Sequence, residues 1–196
     1  LAVSYNGLEG YADSLHDALT RPWPAYENLG IQNPGGDYNQ LATTLLQIEN
    51  EFYGTIRPKR TIASGERPLH SLRERGVEYI EVRLMDLNPF VDIGIDANTL
   101  HFLDVFLLYC ALSDSAPDSP EEIREIGINQ HLTAARGREP GLQLQRQGRP
   151  VALSDWANEI LRELQPVAQA LDQAQGGTAH ADAVAHAVRA VQDPDR

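Results

Sequence analysis

Apolar residues recur at helical spacing near the start of the chain. Leu8, Tyr11, Leu15 and Leu19 fall on one stripe, and Asn6 followed by Glu9 has the shape of a capping box. Pro22 and Pro24 stop this helix, and a loop runs on to the turn-rich "NPGGDY". The segment "LATTLLQIENEFYGTIRPKR" then carries two periodicities at once. Leu41, Leu45, Ile48 and Phe52 fit a helix, whereas Ile48, Phe52 and Ile56 also share one strand face opposite Glu49, Glu51, Tyr53 and Arg57. The strand formers Tyr53, Thr55 and Ile56 favour an extended segment from about Glu51. Glu49 and Tyr53, four apart, share a side in either conformation.

A connector, "TIASGERPLHSLRERG", leads to a strand from Val77 to Met85. Its alternation sets Val77, Tyr79, Glu81 and Arg83 on one face and Glu78, Ile80, Val82 and Leu84 on the other. Antiparallel pairing with the preceding strand needs no crossover and is the economical arrangement. After "DLNPF" the pattern is helical to the end of the chain. Asp96 caps a helix to about Ser113 that is apolar on nearly every face, which predicts a central position where Asp104 must find a partner. A helix follows from about Pro120 to Arg136, and the Gly-rich "GREPGLQLQRQGRP" interrupts. Ser154 starts a helix bearing Trp156, Ile160, Leu161 and Leu164. Gly176 and Gly177 set off an Ala-rich helix, Thr178 to Gln192, that reads as packing, and "DPDR" reads as a frayed tail. The fold class is therefore α+β, antiparallel strands followed by a mostly helical half. Residues 1–113 carry the sheet with its flanking helices, and residues 114–196 form a helical region.

Composition narrows the functions open to this chain. At 196 residues and 42% hydrophobic it can bury a real core. A net charge of −12 and a pI near 4.8 argue against non-specific nucleic-acid or anionic-membrane binding, yet leave room for a local basic pocket. The single cysteine, Cys110, permits neither a disulfide framework nor a thiolate metal cluster, which fits a reducing cytoplasm. Its apolar helix marks it as a small core residue. The start, "LAVSYNGLEG", lacks a signal peptide's basic and apolar regions, and "FLDVFLLYCAL" is too short and too interrupted to cross a bilayer. The expected location is the cytoplasm, with no membrane and no nucleic acid as partners. The histidines show no metal-ligand spacing and read as surface or structural residues. No glycine run ends in the Gly-Lys-Ser/Thr of a phosphate-binding loop.

Two constellations could carry chemistry. Glu81 and Arg83, two apart on a strand, can place a hard oxygen ligand for Mg²⁺ beside a guanidinium that holds a phosphoryl group. By pattern alone, an ordinary cross-strand ion pair is the simpler account. The run "GTIRPKR" sets Arg57, Lys59 and Arg60 in an otherwise acidic chain, which suits a polyphosphate, or equally a charged strand end protected by Pro58.

Taken together, "LQIENEFYGTIRPKR" and "GVEYIEVRLMDLNPF" strongly resemble the proteobacterial class of glutamate–cysteine ligase. The likeness continues through "IGIDANTLHFLDVFLLYCAL" and "GREPGL" and extends more loosely to "SYNGLEGYADSL". The resemblance implies a glutamine-synthetase-like architecture, an antiparallel sheet curved into a funnel with helices outside. It also implies the first reaction of glutathione synthesis. ATP phosphorylates the γ-carboxyl of glutamate and the cysteine amine attacks the acyl phosphate, with Mg²⁺ or Mn²⁺ bridging the phosphates. By the same resemblance, Glu81 matches the family's metal-ligating glutamate, Arg83 the arginine that grips the transferring phosphate, and Tyr53 a tyrosine of the cysteine pocket. Lys59 and Arg60 are assigned to the mouth of the ATP site as an inference from the basic cluster. Family members carry further metal-binding carboxylates and a glutamate-binding arginine well before this region. The expectation is therefore a C-terminal portion of such a ligase, inactive without the N-terminal remainder. Other readings are a related carboxylate–amine ligase with another acceptor, and a non-catalytic helical interaction domain.

Overall fold

The computed structural model describes residues 1–193, and the tail expected at "DPDR" lies beyond Asp193, outside them. The chain forms two compact units, Leu1–Met85 and Asp86–Arg196.

In the first unit, helix α1 (Leu8–Thr20) buries Tyr11, Ala12, Leu15 and Ala18. They pack with Val3, Leu46, Phe52, Leu69 and Leu72 as one core. The N-cap is Gly7, at φ 110, and no side chain caps it. A glycine accepts that backbone geometry without a Cβ clash, so the capping box at Asn6 and Glu9 does not form. Helix α2 (Pro24–Leu29) occupies part of the expected loop. Pro24 stands at its start, where a missing N–H costs nothing, and so opens a helix as well as following one.

Residues 41–52 form neither of the two elements expected. They bend irregularly to a 3₁₀ turn, Glu49–Glu51, while Leu46 and Phe52 plug the core. Strand β1 begins only at Ile56 (Ile56–Lys59). Glu49 and Tyr53 therefore do not belong to one regular element. Its Oε2 accepts the backbone N–H of Leu69 at 3.0 Å, at the start of helix α3 (Pro68–Arg75). A carboxylate there satisfies an orphan N–H and complements the helix dipole. This helix takes up half of the long connector expected before the second strand.

Strand β2 (Tyr79–Val82) pairs antiparallel with β1, as expected, with Arg57 opposite Glu81 and Lys59 opposite Tyr79. It is shorter than the Val77–Met85 expected, because β1 offers only four residues to pair with. Single backbone bonds extend the ladder at each end, from Glu78 N–H to Lys59 O and from Arg83 N–H to Thr55 O, both 2.9 Å.

The connector is also pinned by charge. Arg75 donates to both oxygens of Glu66, at 2.6 and 2.8 Å. The Arg75 hydrogen bonds, and then the Ala63 N–H, lower the Glu66 carboxyl from its ordinary 4.5 to about 2. A folded-state value below the unfolded one contributes stability that is complete above pH 4.5 and is lost as pH falls towards about 2. Glu66→Gln should flatten the acid limb of stability in that window, read by urea unfolding at stepped pH. An unchanged limb would remove this pair from the account.

The second unit begins with α4 (Ala97–Leu112), capped as expected by Asp96, whose Oδ1 accepts from Thr99 N–H at 2.7 Å. Helix α5 (Pro120–Arg136) is capped by Ser119. The Gly-rich strip then forms a hairpin, strands β3 (Gln143–Arg146) and β4 (Arg149–Ala152), where the sequence showed only an interruption between helices. Its two-residue turn, Gln147 at φ 53 and Gly148 at φ 73, matches the twist of the strands. The Asn129 side chain clasps Gln145, donating to its O at 2.6 Å and accepting from its N–H at 2.8 Å. Helices α6 (Leu153–Gln175) and α7 (Ala179–Gln192) complete the unit.

Val105 of α4, Leu161, Leu164 and Ala168 of α6 and Val184 of α7 form its core. Helix α4, grouped by sequence with residues 1–113, thus packs against α6 and α7, which cover its Val105 side. It is not enclosed on every side: Leu100 and Leu112 are exposed, as is Cys110, which is therefore not a core residue. Asp104 is 65% exposed, and the partner expected for it is His180, whose Nε2 lies 4.0 Å from Asp104 Oδ2. Among the described residues no helix is long and apolar enough to cross a membrane.

Candidate functional site

The β1–β2 ladder builds the site. Because Arg57 lies directly opposite Glu81, alternation sets Arg57, Lys59, Tyr79 and Glu81 on one face. Arg83, two residues beyond Glu81, joins them: its Nη2 and Nε lie 3.0 and 3.1 Å from Glu81 Oε2. Lys59 Nζ approaches the other oxygen, Oε1, at 3.6 Å. Burial pushes the Glu81 carboxyl up, but the Arg83 hydrogen bond and the charges of Lys59, Arg83 and Arg57 outweigh it and hold it below the ordinary range. The group is a carboxylate at neutral pH, flanked by cations.

Tyr53 reaches this face from the loop before β1. Its ring lies beneath two guanidiniums, Arg83 Cζ at 5.0 Å and Arg57 Cζ at 5.7 Å from the centroid. Cation–π attraction holds the ring in place, although the residue remains 73% exposed. A side chain so held yet so open is available to a ligand.

Arg57 is the residue whose role sequence reasoning left unassigned, although the basic cluster contained it. Its Nε is buried without a hydrogen-bond partner. The same guanidinium faces the Tyr11 hydroxyl, which burial pushes up to about 12 while Arg57 pulls the other way.

Arg60 behaves differently. Its Nη1 donates to the carbonyls of Arg75 and, at 3.2 Å, Gly76, so it closes the C-terminal end of α3. It lines a cleft of about 360 Å³ together with Arg57, Lys59, Phe52 and Tyr79, but its guanidinium is already engaged. Tyr53, Arg57, Lys59, Glu81 and Arg83 are thus brought together, and the Arg60 charge is spent elsewhere.

The donor set does not make a divalent-cation site on its own. Both Glu81 oxygens face cations, and among the described residues no other histidine, cysteine or carboxylate groups with it as metal ligands do. What the face offers is a fork of cations around one carboxylate and an aromatic platform, suited to a phosphorylated or carboxylated small molecule.

Comparison with known proteins gives the family of the chain. The family model described as glutamate–cysteine ligase matches residues 1–133. A glutamate–cysteine ligase of Pseudomonas paraeruginosa is 49% identical over 195 residues, covering 100% of this chain and 37% of the relative. One from Alcanivorax borkumensis is 44% identical over 198 residues, covering 99% of this chain and 38% of its own length. A crystal structure of glutamate–cysteine ligase from Francisella tularensis in complex with AMP superposes with a TM-score of 0.89 at 35% identity, over 100% of this chain and 39% of that one. The chain belongs to the glutamate–cysteine ligase family. It spans little more than a third of the length of these curated relatives.

Proposed function

We propose that this chain supplies one wall of the active site of an ATP-dependent ligase that joins the γ-carboxyl of glutamate to the amine of cysteine, the first step of glutathione synthesis. The observation that carries the reading is the convergence of Tyr53, Lys59, Glu81 and Arg83 on one sheet face in a chain of this family. The AMP in the Francisella tularensis complex supports an adenine nucleotide as substrate. The amine acceptor and the cytoplasmic location belong to the same proposal.

Phosphoryl transfer asks chiefly for positive charge placed where the transferring oxygens will lie. Arg83 supplies a planar fork for those oxygens. Arg57 and Arg83 hold the Tyr53 ring, which forms part of the pocket for the cysteine substrate. Lys59 contributes a point charge towards the nucleotide phosphates. The Arg60 guanidinium, engaged at α3, acts there by positioning the strand rather than by direct contact. Glu81 would hold Mg²⁺ or Mn²⁺ through one oxygen, exchanging a Lys59 or Arg83 contact for it, with the remaining ligands drawn from the rest of a longer polypeptide. When bound, the metal neutralises phosphate charge.

The test is made on a polypeptide joining this chain to the remaining length found in its relatives. Phosphate release should require Mg-ATP, glutamate and cysteine together. Release indifferent to cysteine but dependent on another amine would favour a different carboxylate–amine ligase, and no release would refute the ligase reading.

A further inference from the structure

A second site lies wholly within the helical unit, and it does not depend on the ligase reading. His101 and Asp104, three apart, share one face of α4. His180, in the first turn of α7, faces them. One donor atom from each of the three residues can be chosen so that all lie within 4.8 Å of one another. The imidazoles of His101 and His180 pack edge to face with centroids 4.8 Å apart.

His180 is only 3% exposed, and its hydrogen bonding is one-sided. Asp172 of α6 accepts from His180 Nδ1 at 2.8 Å, from the His180 backbone N–H at 3.0 Å, and from the Ala181 N–H at 2.9 Å. A carboxylate only accepts, so Nδ1 carries a proton, and in that neutral tautomer Nε2 is the atom with a lone pair to give. That Nε2 is buried without a hydrogen-bond partner and lies 4.0 Å from Asp104 Oδ2, itself an acceptor. His101 Nδ1 is likewise buried and unpartnered. Two unpartnered ring nitrogens and a carboxylate oxygen facing one another offer a cation a shared position.

We propose that His101, Asp104 and His180 form a binding site for a late first-row divalent metal, Zn²⁺ foremost, with Asp172 as the outer carboxylate that orients His180. Two imidazole nitrogens and one carboxylate oxygen suit Zn²⁺ rather than the hard cations that prefer all-oxygen sites. A carboxylate on the far ring nitrogen is the usual means of fixing the tautomer and orientation of a ligating histidine. Tetrahedral bonds of about 2.0–2.2 Å put donor atoms about 3.3–3.5 Å apart, closer than seen here. Asp104, at 65% exposure, is free to swing in and close the gap. The bound ion would tie α4 to α7 and leave a coordination position to solvent.

The test is titration of the full chain with Zn²⁺ by calorimetry, and with Co²⁺ by visible absorption, alongside His101→Ala, Asp104→Asn and, as a control, His16→Ala. His180→Ala is avoided as the primary variant because the residue is buried. The expected result is one ion per chain, an intense tetrahedral Co²⁺ spectrum and a higher Tm with Zn²⁺. His101→Ala and Asp104→Asn should each weaken binding at least about tenfold, with His16→Ala unchanged. Absence of stoichiometric binding overturns the proposal. Binding that survives either His101→Ala or Asp104→Asn overturns the three-ligand set.

Discussion

Arg83→Met, made in the joined full-length polypeptide, is expected to lower kcat by about 10²–10³-fold, the usual cost of removing one preorganised donor at a charge-developing centre. The expectation rests on where the guanidinium sits. It contacts Glu81 at 3.0 Å and lies 5.0 Å from the Tyr53 centroid, so it is already oriented before any substrate arrives. Little reorganisation is then left for the moment of reaction. Arg83→Lys should recover only a small part of the loss, since an ammonium cannot present two parallel donors to one phosphoryl group. The nucleotide Kd should change much less than kcat, because the interaction develops in the transition state. Turnover within about threefold of the parent, in a variant that still unfolds cooperatively, would take Arg83 out of the chemistry.

Leu164→Ala is expected to destabilise the second unit by about 2–5 kcal/mol. Leu164 is fully buried and packs in one cluster with Val105 of α4, Leu161 and Ala168 of its own helix and Val184 of α7. Truncating it opens a void that all three helices border. None can close that void without surrendering contacts elsewhere. With most of its buried apolar side chains gathered in this one seam, the unit has little reserve. Urea unfolding followed by helical circular dichroism would show the loss as a lowered midpoint. A shift below about 1 kcal/mol would mean the helices repack and the seam is not the main source of stability.

The Glu81–Arg83 face was legible because two independent regularities coincided there. Period-two alternation placed Glu81 and Arg83 together, and the family resemblance gave that face a purpose. The long helices were legible for a related reason. Asp96, Ser119 and the Gly176–Gly177 break punctuate periodic stretches long enough to be read. Short elements were not. Helix α3 has only eight residues and buries just Leu69, Ser71 and Leu72, too few to establish a period. The β3–β4 hairpin left a fainter mark. Leu144 is buried between exposed Gln143 and half-buried Gln145, ahead of the turn at Gln147 and Gly148, yet the surrounding glycines suggested a plain interruption.

The Arg60 contacts were illegible for a different reason. The partners are backbone carbonyls, which leave no trace in residue identity. His101, Asp104 and His180 escaped notice because two helices distant in sequence bring them together. Ligand spacing along one segment could not reveal them.

The bond from Arg60 to the end of α3 has a bearing on how the sheet assembles. Strands β1 and β2 are short and joined by a long excursion, conditions under which pairing can slip. A slip of one residue would turn Tyr79 and Glu81 to the side now held by Ile80 and Val82, and would dismantle the site without unfolding the helices. Arg60 immediately follows β1 and grips the carbonyls of Arg75 and Gly76, shortly before β2. It works as a gauge stop, shortening the slack of the excursion and so favouring the alignment in which Arg57 meets Glu81.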